Sequence, residues 1–172
     1  MFEYYLLLTL LIIVLFIVIS SLKIGISPMP TSKSARKIIV STLQDSQNST
    51  IIDLGSGFGT LAIFLAVNFP HKKVIGYELS LFAFLISQIL KFTLGLKNLH
   101  FYKKDFLHQD LKNCDLVCYL FPIGMQKLED KLFDEEINTT IISNTFAFRN
   151  IKAKEIIKDN SILKTPIYIY KT

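Results

Sequence analysis

Glycines occupy positions 55, 57 and 59 of the run Asp53-Leu54-Gly55-Ser56-Gly57-Phe58-Gly59, directly after the β-rich segment Thr50-Ile51-Ile52. Glycine is needed where the main chain adopts conformations closed to other residues, and where a ligand must approach backbone with no Cβ in the way. A dinucleotide fingerprint would read Gly-x-Gly-x-x-Gly, with a pyrophosphate on the following helix N-terminus. Here the third glycine comes one residue early and position 60 is Thr. A carboxylate just ahead of such a turn suits a ligand that carries a cationic aminoacyl group and lacks phosphates.

Two further acids sit where the same ligand would need them. Glu78 closes a second β-rich run, 25 residues after Asp53, where a carboxylate can accept both hydrogen bonds of a ribose diol. Asp105, in Lys103-Lys104-Asp105-Phe106, follows a third such run and can accept from an adenine amino group while Phe106 packs by the ring. Taken singly, each acid has a plain alternative as a surface or helix-capping residue. Together, at three strand ends, they describe one pocket for an adenosyl sulfonium compound, and S-adenosylmethionine is the expected cofactor.

The elements that must position these groups follow from periodicity. Strands are predicted over 50–54, 73–77, 98–103, 115–120 and 139–144, with helices over 60–68, 81–94 (Gly95 ending it) and 125–133. An earlier helix over 34–43 is expected to cover the edge of the domain. Strands alternating with helices demand right-handed crossovers and a parallel sheet covered on both faces. Beyond Phe148 the pattern changes to two strands, 153–158 and 166–170, expected as an antiparallel hairpin at the sheet edge. The fold class is therefore α/β, doubly wound and Rossmann-like, with a mostly parallel seven-stranded sheet and a C-terminal hairpin.

Residues 4–22 are 19 consecutive uncharged, mainly aliphatic positions, about 28 Å as a helix and enough to cross a hydrocarbon core. No Lys or Arg precedes them and no Ala-x-Ala-like site follows, which favours an anchor over a cleaved signal. Lys23, Lys33, Arg36 and Lys37 follow the stretch, so the positive-inside rule predicts a single-pass membrane protein with its domain on the cytoplasmic side. The expected organisation is a transmembrane helix at 4–22, a linker at 23–33 containing Pro28 and Pro30, and one domain at 34–172. The net charge of +5 is spread along the chain, and nucleic acid is not an expected partner. Cys114 and Cys118 match neither a zinc spacing nor a Cys-x-x-Cys pair, and no metal site is predicted.

These residues resemble the class I methyltransferases. The N-terminal anchor, Pro30-Thr31, Val-Ile-Gly-Tyr-Glu-Leu at 74–79, Phe-Tyr-Lys-Lys-Asp at 101–105, and Phe121-Pro122 followed by Met125 and a charged helix narrow the likeness. They are similar to the small membrane-anchored protein-lysine N-methyltransferases, which include the enzymes acting on ATP synthase subunit c and the adenine nucleotide translocase. The resemblance implies that Asp53, Gly55, Ser56 and Gly57 hold the methionine moiety, Glu78 the ribose and Asp105 the adenine, with Pro30 and Thr31 folding over the cofactor. Leu54, Gly59, Leu79, Phe106 and Leu120 complete the expected cofactor pocket.

It also implies a protein substrate with an accessible lysine, associated with the membrane. Phe121, Pro122, Asn144 and Phe146 are the candidates to line the acceptor channel, together with Phe148, and no residue stands out as a general base. The Asn-Pro-Pro-Tyr type of motif that grips a base amine is absent, Leu120-Phe121-Pro122-Ile123 standing in its place. A lipid or quinone methyltransferase, and a non-catalytic membrane module that binds the cofactor, are the alternatives.

Overall fold

The structure is a computed structural model that describes residues 3–9, 11, 31–137, 139–161 and 164–171. The predicted span at 4–22 lies outside the described residues except for 4–9 and 11, which are helical and exposed. Among the described residues no helix is long and apolar enough to cross a membrane. Pro30 and most of the linker also lie outside them.

Seven strands form one sheet in the order β3-β2-β1-β4-β5-β7-β6. They are β1 (Thr50–Leu54), β2 (Lys73–Tyr77), β3 (Leu99–Tyr102), β4 (Asp115–Cys118), β5 (Thr140–Asn144), β6 (Glu155–Lys158) and β7 (Pro166–Lys171). The first five run parallel, and β7 is antiparallel to both β5 and β6. The expected architecture is found, with the later strand of the hairpin seated against β5. The fourth strand stops at Cys118 rather than Leu120, because its pairing with β1 and β5 ends there, Cys118 standing opposite Leu54 and Ser143.

Helices α1 (Lys33–Leu43), α2 (Thr60–Asn68), α3 (Leu81–Leu94) and α4 (Pro122–Asp134) connect these strands. Pro122 is the first residue of α4, a position where the missing N–H costs no hydrogen bond and the fixed φ suits a helix. α1 does not cover the domain edge. Its Ala35, Ile39 and Leu43 share a core cluster with Leu61 and Leu65 of α2 and with Val117, Ile142 and Ile167 of the sheet. α4 closes the opposite face with Met125 and Leu128 against Leu54, Leu116 and Tyr170. Successive residues of β4 alternate between the two clusters, as the pleat requires, and the whole strand is buried.

At the amino ends of the strands, buried Asp115 accepts from Ser46 Oγ (2.6 Å) and Asn48 Nδ2 (3.0 Å) and lies 3.8 Å from Lys72 Nζ. Glu129 on α4 accepts the main-chain amides of Asn150 (2.7 Å) and Ile151 (2.9 Å), anchoring the segment between β5 and β6. These buried acids are fully engaged in holding the fold. Cys114 and Cys118 are buried free thiols, and burial pushes both up to about 12, leaving them protonated and unreactive at neutral pH.

The turn after β1 takes left-handed φ values of 74°, 54° and 77° at Gly55, Gly57 and Gly59, but the three glycines answer to different demands. A Cβ on Gly59 would stand 2.4 Å from Phe101 Cζ, and one on Gly76 2.5 Å from Phe101 Cδ1, whereas one on Gly57 would meet nothing within 4 Å. Gly59 is therefore also a packing glycine, set against the Phe101 ring, a demand its sequence position did not announce. Gly57 faces open space. Gly57→Ala should lower stability by only about 1 kcal/mol, the left-handed penalty alone. Gly59→Ala should lose about 3 kcal/mol, since overpacking adds to that penalty. Urea unfolding of both variants checks this, and equal losses would remove the distinction.

Candidate functional site

The glycine turn is bonded to the end of the neighbouring strand. Gly55 and Ser56 both donate their amides to the Tyr77 carbonyl, at 3.0 and 2.9 Å, and Gly59 donates to Ser56 O at 2.8 Å. One residue beyond Tyr77, Glu78 accepts the Gly57 amide on Oε2 (2.8 Å) and the Ser80 amide on Oε1 (2.7 Å). The Glu78 amide in turn donates to Tyr102 O at 3.1 Å. The ends of β1, β2 and β3 are thus held in one layer at the carboxyl edge of the sheet, the position where ligands bind in doubly wound folds.

Asp53, on β1, is 3% exposed. Burial raises its carboxyl to about 7, the Glu78 charge adds to that, and an amide hydrogen bond from Ala62 in the first turn of α2 opposes it. Asp53 Oδ2 and Ser56 Oγ are buried with no hydrogen-bond partner among the described atoms. Buried polar groups are rarely left so. Two such atoms, one near the end of β1 and one in the turn after it, beside a second carboxylate, are groups that a cationic donor would satisfy. Glu78 spends one lone pair per oxygen on amides, and a carboxylate has about four acceptor positions, so it retains capacity for hydroxyl donors.

Of the three acids, the structure brings Asp53 and Glu78 together. Asp105 lies three residues past the end of β3 and caps the short 3-10 turn Phe106–His108, accepting the Leu107 amide at 3.0 Å. This is the capping role that its residue type offers. Phe106 is half-buried against the cluster that holds Leu54 and Leu120. Leu54 is wholly within the core, so only its main chain is available to a ligand, while Leu120 lies under Gly55 and Gly124 and Leu79 is half exposed.

Pro30 lies outside the described residues. Thr31 is buried, with its carbonyl accepting from Arg36 Nε at 3.0 Å. Next to it, Ser32 caps α1 and donates to Asp159 Oδ2 (2.5 Å), while Asn160 donates its amide to Ser34 Oγ (2.9 Å). Asp159 and Asn160 follow the end of β6, which pairs with the start of β7, and that in turn pairs with the end of β5. The entry to α1 is therefore fastened at the same end of the sheet as the glycine turn.

On the other side of that turn, Tyr119, Phe121 and Phe146 form an aromatic triad with ring centroids 5.3 to 6.1 Å apart. Phe148 does not join it, because its ring packs 4.7 Å from Tyr170 inside the core. Pro122 is exposed at the start of α4. Asn144 is buried at the end of β5, and the chain then makes a tight turn in which the Phe146 amide donates to Asn144 O at 3.0 Å. Its central residue, Thr145, has φ of 76°. A β-branched residue in that region is strained, and strain of this kind is kept where surrounding contacts hold it. Sequence reasoning missed Thr145, and missed Gly76 beneath Ser56. A lone glycine in a strand pattern was the available signal for the second, whereas nothing in the type of Thr145 announces its conformation.

The model of the ANTKMT methyltransferase domain matches residues 53–155, more than half of the chain. The release factor glutamine methyltransferase of Buchnera aphidicola subsp. Schizaphis graminum (strain Sg) is 33% identical over 118 residues, 66% of this chain and 42% of that protein. The matched region thus spans about two-fifths of the length of that relative. An RNA methyltransferase from Salinibacter ruber, solved with S-adenosyl-L-homocysteine, has a TM-score of 0.71 at 21% identity, covering 83% of this chain and 93% of its own. Precorrin-6y C5,15-methyltransferase from Geobacter metallireducens GS-15 has a TM-score of 0.63 at 11% identity, covering 86% and 92%. At these identities the two structures share the fold.

The site's own chemistry fits the cofactor of such enzymes: the unpartnered Asp53 Oδ2 and Ser56 Oγ await a donor, and Gly57 leaves main chain open to approach. This chain belongs to the ANTKMT methyltransferase domain family and carries a class I methyltransferase domain whose cofactor is S-adenosylmethionine.

Proposed function

We propose that the chain methylates the ε-amino group of a lysine in a membrane-associated protein, and that residues 4–22 anchor it in the bilayer with the domain on the cytoplasmic side. The aromatic triad Tyr119-Phe121-Phe146 carries the lysine assignment. It stands beside Asn144 at the ends of β4 and β5 and offers an incoming side chain apolar walls. A lysine amine, with an ordinary pKa of about 10.4, must be neutral to act as a nucleophile, and apolar surroundings disfavour its ammonium form. The family match supports a protein acceptor, and so does the curated relative, which is named for a glutamine of a release factor.

In this reading Asp53 and Ser56 hold the cationic aminoacyl end of the cofactor, Gly55 and Gly57 its methionine chain, and Glu78 its ribose hydroxyls. Asp105 and Phe106 flank the adenine, and Pro30 and Thr31 close over it. When bound, the cofactor supplies an electrophilic methyl group. The protein's part is alignment: holding a neutral amine in line with that group converts a bimolecular encounter into an intramolecular one. Membrane attachment adds a local concentration of membrane substrates.

Incubating membranes containing the protein with methyl-labelled cofactor should place label in methyl-lysine after acid hydrolysis. Label in the lipid extract alone would replace the lysine with a lipid or quinone acceptor, and no label despite intact binding would leave a cofactor-binding module.

The pH dependence of binding tests Asp53. Its folded pKa of about 7 exceeds the ordinary 3.8, so between those values the native state keeps a proton that the unfolded chain has released. The stability contributed by this group is then lost as pH rises through that window, and a cationic ligand restores it. Calorimetric affinity for the cofactor should fall about tenfold per pH unit below about 7 and level off above. Asp53→Asn should flatten that profile, bind more weakly at pH 8, and make the ligand-free protein progressively more heat-stable than the parent as pH rises. An unchanged pH profile in the variant would remove Asp53 from the cofactor's amino end.

A further inference from the structure

α3, with the sequence LFAFLISQILKFTL, buries Ala83 and Ser87 toward the sheet. The opposite side of a surface helix is ordinarily polar, and a helix apolar on both sides is one covered on both sides. On α3 the outward stripe is Leu81, Leu85, Ile89 and Phe92, which are 45%, 50%, 63% and 88% exposed. Their spacing of four, four and three residues keeps them on one line. Leu79, also half exposed, continues the stripe to the edge of Glu78. The helix has no acidic residue, and its single charge is Lys91.

At the far end of the stripe from Glu78, the charged side chains on and just after the helix, Lys91 and Lys97, are both cationic. Lys97 follows the helix. On the adjacent strand the His100 imidazole is held below its ordinary range by burial and by the cations of Lys91 and Lys73. Among the described residues, neither Lys91 nor Lys97 is in an ion pair. An apolar helix face rimmed by unpaired lysines is complementary to anionic lipid, where the apolar side chains enter the acyl boundary and the cations meet the headgroups. Ten residues, 23–32, separate the proposed span from α1. Fully extended they reach about 35 Å, so an anchored domain stays within contact range of the bilayer.

We propose that the outward face of α3 lies in the headgroup–acyl boundary of an anionic membrane, with Lys91 and Lys97 at headgroup level. This deepens the membrane half of the proposed function and rests on it. Because the stripe begins beside Glu78, the cofactor site then opens close to the membrane surface. The acceptor lysines it serves are those just outside the bilayer plane.

The full chain can be reconstituted in phosphatidylcholine vesicles containing roughly one quarter phosphatidylglycerol, with Ile89→Cys carrying an environment-sensitive fluorophore. Cys114 and Cys118 are buried and stay unlabelled. Glu155→Cys, exposed on β6 at the far edge of the sheet, is the control. The label at 89 should shift to the blue and lose most of its emission to nitroxides on the lipid acyl chains, while the label at 155 remains quenchable by iodide in the water. Position 89 behaving like 155 would overturn the proposal, as would a blue shift that ignores lipid nitroxides and grows with protein concentration, the mark of a second copy covering the face. Alkaline carbonate extraction of the same vesicles reports the anchor separately. Retained protein with a water-exposed label defeats the α3 contact and spares the anchor, whereas extracted protein whose label had been lipid-quenched upholds the contact and defeats the anchor.

Discussion

The carboxylate of Glu78 bridges two main-chain amides, Gly57 in the turn after β1 and Ser80 at the start of α3. An ionised acceptor makes stronger hydrogen bonds than a neutral one. This residue thereby joins the glycine turn to the entry of the next helix without a direct covalent or sheet connection between them. The Tyr77 carbonyl, one residue earlier, takes two more amides of the same turn. The shape of the glycine turn depends on this arrangement. It places a second buried acid near Asp53, whose charge is disfavoured first by burial and then by Glu78.

Holding two carboxylates so close, one satisfied by amides and one with an unpartnered oxygen, is costly in the absence of a cation. The fold tolerates it because the surrounding packing is tight. Phe101 lies over Gly59 and Gly76 so closely that neither tolerates a Cβ, and the sheet is covered by helices on both faces. Rigid elements thus hold the turn in its shape. The neighbouring ends of β4 and β5 are built differently, from a strained turn at Thr145 and three aromatic rings in mutual contact.

The molecule's buried charges divide by location. At the amino ends of the strands, Asp115 is matched by Ser46, Asn48 and Lys72. On α4, Glu129 is matched by the amides of Asn150 and Ile151. Among the described residues, the buried acid with an oxygen that has no hydrogen-bond partner is Asp53, at the carboxyl edge. The sheet therefore carries a matched acid, Asp115, at the amino end of β4 and an acid with an unpartnered oxygen, Asp53, near the carboxyl end of β1.

Most of the fold was legible in the sequence because its signals are local. Strands at 50–54 and 73–77, helices at 60–68 and 81–94, and the final hairpin follow from side-chain period and from the glycines that punctuate it. The Asp-x-Gly-x-Gly-x-Gly run and Glu78 likewise identified themselves by residue type and by their place at strand ends. What tertiary structure decided is which neighbours each residue meets. Phe101, more than forty positions away in sequence, makes Gly59 a packing residue. Asp105 spends an oxygen on its own 3-10 turn, Phe148 turns inward to Tyr170, and α1 lies on a face of the sheet and not along its edge. Backbone conformation and helix periodicity are set within a few residues, whereas burial, hydrogen-bond partners and the reach of a side chain are set by contacts between distant segments that exist only once the sheet has formed.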